Sequence, residues 1–288
     1  MLSWIDTVLQ GLMLGGLYAL FAMGLALMFG VMRLVNTAHG DLVILAAFLG
    51  FLLTDSLGIG PLGAAALVVP CAFLFGYVLQ RGVLNFVVTR DPLPSLVVTF
   101  GMATVVQNLL LEAFSADSRS IAAGGLETAS IPLAGGLTVG VLPVFTLLTA
   151  FCATLGLQWI TGHTALGRAF RATSDDREAA LLMGIGDRHI YALATGIAVA
   201  IVGVAGILHG MRTTIAPSDG PVQLIYAFEV VIIGGMGSFW GSFVGGMILG
   251  VAQSIGFRLD PGWGILAGHL VFVLALIVRP SGLFPKTR

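Results

Sequence analysis

Asn36-Thr37-Ala38-His39-Gly40-Asp41 is a polar knot set between two hydrophobic runs, each long enough to lie in a bilayer. Polar and ionisable groups at membrane depth are costly, so a cluster of them marks a candidate functional site. Outward from the knot the chain is strongly apolar. Of its 288 residues, 57% are hydrophobic and 9% charged, whereas soluble domains carry roughly a quarter charged residues. The composition is that of a polytopic membrane protein. Nucleic-acid binding finds no support, because no basic run or patch stands outside short inter-span loops.

Hydrophobic runs that can each supply the roughly 20 residues of a membrane crossing start near Val8, Leu42, Leu62, Leu96, Val139, Ile190, Ile225, Phe243 and Ile265. The expectation is an all-α transmembrane bundle of about nine spans, with eight to ten as the range, forming one domain over residues 1–288. Several runs are interrupted by Gly, which predicts broken or re-entrant segments. Met1-Leu2-Ser3-Trp4-Ile5-Asp6 carries no cationic stretch, so no removable signal peptide is expected. Cys71 and Cys152 sit alone in apolar runs and imply neither a disulfide nor a metal site.

Orientation follows from the cations. Arg33, Arg81 with Arg90, the group Arg168, Arg171, Arg177 and Arg188, and finally Arg279, Lys286 and Arg288 recur at alternate ends of successive spans, which places these ends in the cytoplasm. The N-terminus is then expected outside and the C-terminus inside. Arg119, Arg212 and Arg258 fall on expected outer loops as exceptions. Trp4, Trp159, Trp240 and Trp263 suit interfacial anchors.

Glycine is abundant, at 40 residues, and recurs at close-packing spacing: Gly11 with Gly15, Gly241 with Gly245, Gly246 with Gly250. Small residues four apart let helix backbones approach closely in lipid. The glycine-rich stretches 11–24 and 241–256 also resemble one another, as the halves of an internal repeat would. Residues 115–140, with Arg119, Glu127 and Pro132, are too polar for a span; they read as an outer loop, either a docking surface or a solvated connector. The loop after His209 carries the same two readings.

The segment 161–189 mixes both signs of charge. From Gly167 to Met183 it holds good helix formers, with Leu166, Ala169, Phe170, Ala179, Leu182 and Met183 available as an apolar face, which predicts one short amphipathic helix across the inner surface. Within it, Ala179 and Ala180 are small enough for a partner to approach, and Gly184 allows a sharp C-terminal turn.

Glu178-Ala179-Ala180, then Gly184 after three residues, resembles the loop by which permease subunits of ATP-binding-cassette importers dock into a groove on the ATPase. The stretch from Gly24 to Asp41, with its Asn-x-Ala-His-Gly-acid core, is closer to the LivH-type permeases of the branched-chain amino acid importers. Gly167 to Ala172, Gly234-Gly235-Met236-Gly237-Ser238 with Gly241, and the ending Arg279-Pro280-Ser281-Gly282-Leu283-Phe284 resemble that family too. The resemblance implies a cytoplasmic coupling segment carrying Arg168, Arg171, Glu178, Ala179, Ala180 and Gly184. It also implies a complex with a second related permease, two cytoplasmic ATP-binding subunits and an external binding protein, in the lipid of a bacterial inner membrane. Imported substrates in such relatives include amino acids, urea, short amides and organic or aromatic acids. The chain has no Gly-x4-Gly-Lys-Ser/Thr phosphate loop, so ATP hydrolysis is expected from partners. No catalytic residue, metal or cofactor is expected.

For the translocation path, Asn36 and His39 share a face if a helix starts here. Asn36 or Thr37 is placed to cap a helix beginning near Ala38, and Gly40 permits an unwound or closely packed backbone. A helix N-terminus exposed there would favour a substrate carboxylate; a polar cap at the inner surface is the other reading. Asp41 suits the first turn of a helix dipole. Glu229, Gln107 and Asn108 are candidates either for the same path or for interhelical hydrogen bonds. His209 and His269 read as packing or interface residues. An autonomous channel or ion-coupled carrier is a rival reading, for which Glu229 would be the mid-membrane carboxylate.

Overall fold

A computed structural model of the protein describes residues 2–88, 93–132 and 137–284; Arg90, Lys286 and Arg288, used above to orient the chain, lie outside the described residues. The helices are α1 (Leu2–Met32), α2 (His39–Leu57), α3 (Pro61–Gly82), α4 (Leu93–Phe114), α5 (Val141–His163), α6 (Ala165–Asp175), α7 (Arg177–Leu182), α8 (Asp187–Arg212), α9 (Gly220–Gly234), α10 (Phe239–Leu259) and α11 (Trp263–Val278). A two-stranded antiparallel hairpin, β1 (Ser130–Pro132) with β2 (Thr138–Gly140), precedes α5. The chain is an all-α membrane bundle with this one small addition.

Each predicted apolar run falls on a helix. Among the described residues, 7 helices are long and apolar enough to cross a membrane: α1 to α5, α8 and α10. The other two runs form α9, of 15 residues, and α11, of 16, both short of the roughly 20 that a crossing needs.

α1 is the hub. Leu20, Phe21, Ala22, Met23, Ala26 and Met28 are fully buried, under α10, α8, α5 and α9. Glycine makes the α1–α10 contact possible. A Cβ on Gly15 would stand 2.5 Å from the Gly246 carbonyl oxygen, and one on Gly246 2.6 Å from that of Gly15. The two glycine-rich stretches are therefore the two sides of one helix–helix seam.

α2 does not start where α1 ends. His39 is bonded through Nε2 to the carbonyl oxygen of Phe21, 2.7 Å away, about 16 Å short of the end of α1 at ~1.5 Å per residue. Residues 33–38 climb back into the bundle, extended enough to span that distance. On the far side, α8 ends at Arg212, and residues 213–219 descend until Gly220, the first residue of α9, lies against Gly40 and Asp41. From this meeting point α2 and α9 run to opposite ends of the bundle. Broken helices with buried ends are tolerated where protein satisfies the backbone.

The segment 115–132 is more ordered than a plain loop. Arg119 pairs with Ile215 as an antiparallel bridge, the Ile121 amide donates to the Gly210 carbonyl at 2.8 Å, and the Ile121 side chain is buried. Arg212 and Arg258, expected on outer loops, instead occupy the last turns of α8 and α10. There Arg212 donates to the Met13 carbonyl at 3.0 Å and Arg258 lies over the Trp4 ring, 4.3 Å from its centroid. At the opposite end, the amides of Leu283 and Phe284 donate to the carbonyls of Ile233 and Gly234, tying the chain's end to α9.

Candidate functional site

The polar knot lies at the junction of α2 and α9. Asn36 and His39 are fully buried. The helix begins at His39, so Asn36 lies outside it and the two do not share a helical face. The Asn36 Oδ1 accepts from the Ala38 amide at 3.0 Å, closing the turn before the helix. Thr37 does not cap; its hydroxyl pairs with that of Thr99 on α4 at 2.9 Å. The expected position of Gly40 at a close backbone approach is met, since a methyl group there would overlap the Gly220 carbonyl. The Asp41 carboxylate, nearly buried, lies against Gly220. It therefore stands at two helix N-termini at once, where unpaired amides and aligned peptide dipoles favour a negative charge.

Around this junction α4 packs on α2, α2 on α9 and α9 on α11, which makes one wall of the bundle. Its outward face adds a few polar side chains to an apolar surface. The exposed large side chains of α3 include Leu62, Leu67, Leu74, Phe75 and Val78, and those of α5 Phe145, Leu148, Phe151, Leu155 and Trp159, as a lipid-facing surface requires. On α4 Thr104, Asn108 and Glu112, one turn apart, are exposed alongside Leu93, Val97, Phe100, Val105 and Leu109. Gln107, half-buried, flanks them. Asn108 donates to the Thr104 carbonyl at 2.8 Å. α9 exposes Val222 and Ile225. Buried beside them, Glu229 accepts a short hydrogen bond from His269 Nδ1 on α11.

Behind the wall lies a polar cluster that the sequence did not reveal. Tyr18 donates to Gln253 Oε1 at 2.6 Å, and its ring lies 4.8 Å from that of Tyr226. The His209 ring meets Phe21 edge-on at 5.5 Å, and its Nδ1 is 3.3 Å from the Thr213 hydroxyl. Tyr18 and Gln253 occur singly in apolar stretches, so no local pattern marks them as partners.

The second site is the surface module α6–α7. One amphipathic helix was expected over 167–183; there are two, broken at Asp176. Asp176 is extended, and its side chain accepts from the amides of Glu178 and Ala179 at 2.9 and 3.0 Å, so it caps a new helix and ends the old one. Thr164 caps α6 by accepting from Gly167 at 3.1 Å. Phe170 is buried, and Ser174 donates to the Gly30 carbonyl at 2.9 Å, fixing α6 to the end of α1. Arg177 bonds Asp187 at 2.6 Å. Arg168 and Arg171 are exposed, the latter bonded to the Thr161 carbonyl.

Gly184 has φ +81°, and the amides of Gly184 and Ile185 donate to the carbonyls of Leu181 and Ala180. That pair of bonds is a Schellman motif with glycine at its left-handed position, as the sequence implied. Two side-chain placements differ from expectation. Ala180 is 4% exposed and packs inward, leaving Glu178 and Ala179 on the outer side. Leu182 and Met183, assigned above to the bundle-facing side, are 88% and 82% exposed. The break at Asp176 resets the helical phase, and the motif turns this apolar tip outward.

A membrane bundle with discontinuous helices meeting at depth, and a capped helix pair on one surface, has the build of a transport protein's membrane domain. The chain belongs to the family of branched-chain amino acid transport system permease components, whose model matches residues 7–278. It is 28% identical to the high-affinity branched-chain amino acid transport system permease protein BraD of Pseudomonas aeruginosa, over 98% of this chain and 96% of that one. It is 26% identical to the corresponding permease protein LivH of Escherichia coli, over 99% and 96%. Among solved structures it is similar in fold to PsaBC from Streptococcus pneumoniae in complex with Fab, with a TM-score of 0.51 at 14% identity, covering 98% of this chain and 97% of that one.

Proposed function

We propose that the chain is the membrane-embedded permease subunit of an ATP-driven importer for branched-chain or closely related amino acids, in a bacterial inner membrane. It pairs with a second permease, two cytoplasmic ATP-binding subunits and an external binding protein. The observation that carries this reading is the apolar tip Leu182–Met183, held out from a charged surface module by two capped helix ends. Exposed apolar side chains rimmed by polar ones mark a docking contact. Glu178 and Ala179 border the tip. The tip docks on the ATPase, α6 transmits its movement to the end of α1 through Ser174 and Gly30, and the bundle alternates between outward and inward access.

The face built from α4, α9 and α11 faces the second permease and lines the path, with Asn108, Gln107 and Glu229 along it. Asn36, His39 and Gly40 build the α2–α9 junction at its floor. With α6–α7 in the cytoplasm, the segment 115–140 lies outside, as does the N-terminus, and nine crossings count α9 and α11 as short ones. The substrate class rests on what BraD and LivH are named for.

Recovery of the chain from its native membrane, followed by mass spectrometry, tests the assembly. Co-purification of two ATPases, a second permease and a binding protein that takes up leucine supports it. Recovery of the chain alone, under conditions that keep known complexes intact, counts against it.

A further inference from the structure

Resting on the importer reading above, we infer that the Glu229–His269 pair is a receiver for the substrate's carboxylate on the α4–α9–α11 face. His269 is the one ionisable residue of α11, an otherwise apolar helix whose exposed residues include Ile265, Leu266, Leu270, Val273 and Leu274. It lies about 9 Å from the start of that helix at ~1.5 Å per residue, well inside the bundle's span. A half-exposed imidazole at that depth is costly against lipid tails, and such groups face a polar cavity or a partner by default.

The pair is asymmetric in a way that suits a binding group. The Glu229 side chain is 4% exposed, that of His269 41%. The carboxylate sits behind, on α9, and accepts the Nδ1–H hydrogen bond, which fixes the direction of the ring. With Nδ1 held by the carboxylate, only the imidazolium form carries a second N–H, at Nε2, and its charge is balanced by the carboxylate behind it. The second Glu229 oxygen, Oε2, is buried and has no hydrogen-bond partner among the described residues. A pair whose role is to pin α9 to α11 would have its buried lone pairs satisfied by the fold.

One helical turn before Glu229, α9 exposes Ile225, and a turn earlier Val222. The imidazolium Nε2 donor, with two aliphatic side chains exposed on the helix that carries Glu229, matches a small zwitterion with a branched apolar side chain: its carboxylate on His269, its hydrocarbon on Ile225 and Val222. The pair holds no substrate covalently and moves no proton in the reaction; it provides a charged way-station whose affinity is set by one hydrogen bond.

The test uses the complete importer with its binding protein in proteoliposomes, reading leucine uptake and ATP hydrolysis together. His269→Leu should lower leucine uptake tenfold or more while the ATPase activity stimulated by loaded binding protein stays within twofold of wild type. Glu229→Gln should do the same to a smaller extent, and His269→Arg, which keeps a cationic donor, should retain most of the uptake. Unchanged uptake in His269→Leu overturns the inference, as does a parallel fall of uptake and ATPase in all three variants, which marks a packing role. If the wild-type complex takes up no leucine in an ATP-dependent way, the importer reading itself fails, and the inference with it.

Discussion

Gly40 faces the carbonyl oxygen of Gly220 so closely that a single methyl group on Gly40 would overlap it, at the point where the first turns of α2 and α9 pass in opposite directions. Two helix starts are thereby held inside the bundle, with the Asp41 carboxylate against the first residue of α9.

Gly40→Leu should therefore separate α2 from α9. Overpacking a tight contact costs about 1–3 kcal/mol, and here the clash is with backbone, which cannot rotate aside. The expected outcome is a lower thermal unfolding midpoint of the detergent-purified complex, with loss of uptake. Wild-type stability in this variant would show that the two first turns do not touch.

Asp41→Asn removes charge and leaves shape. A carboxylate at a helix N-terminus contributes about 0.3–1 kcal/mol when exposed and up to ~2 kcal/mol when partly buried, and Asp41 stands at two such ends. Burying that charge costs at least as much, so the variant should match or exceed wild-type stability in the same thermal assay, and a clear loss would show that the two helix starts hold an ionised carboxylate. Asp41→Lys should fail to accumulate in the membrane.

The apolar tip gives a sharper test of coupling than the buried alanine beside it. Leu182→Asp and Met183→Asp change side chains that are 88% and 82% exposed, so folding and insertion should be intact while ATP-driven uptake falls tenfold or more. Ala180→Arg forces a charge into a packed position and should lower both stability and uptake. If the Leu182 variant transports normally, the tip is not the docking contact.

Gly184→Ala probes the turn that presents the tip. A left-handed residue other than glycine costs about 1 kcal/mol. The cost should appear as reduced co-purification of the ATPase more than as loss of the membrane domain, because α7 is a surface element.

The outward face of α4 distinguishes a polar path from lipid. Asn108→Cys, in a chain whose Cys71 and Cys152 are replaced by Ser, should react with a membrane-impermeant thiol reagent in the assembled importer. Leu74→Cys, on the apolar face of α3, should not. Equal protection of both positions would put α4 against lipid.

Much of this architecture is legible in the sequence because bilayer thickness and hydrophobicity write themselves directly into run length. The position of every long helix, the close-packing glycines of α1 and α10, and the turn at Gly184 follow from local composition; that those two glycine stretches face each other does not. Depth does not. Asn36 to Asp41 read the same at a membrane surface as inside the bundle, and the difference lies in where residues 33–38 travel. Tyr18 with Gln253, or His269 with Glu229, are separated by so much chain that only packing brings them together. The break at Asp176 was missed for a local reason. Helix formers on both sides favour continuity, and an aspartate inside such a run is as compatible with a solvated helix face as with a cap.

The ties that hold α9 at its two ends are made by main-chain atoms: upstream through the Arg119–Ile215 bridge to the loop that leads into Gly220, downstream through Leu283 and Phe284 to Ile233 and Gly234. Main-chain bonds do not depend on which side chains are present. α9 is thus slung between the two ends of the bundle by links that do not depend on side-chain identity. Side chains along α9 can then change while the suspension stays the same.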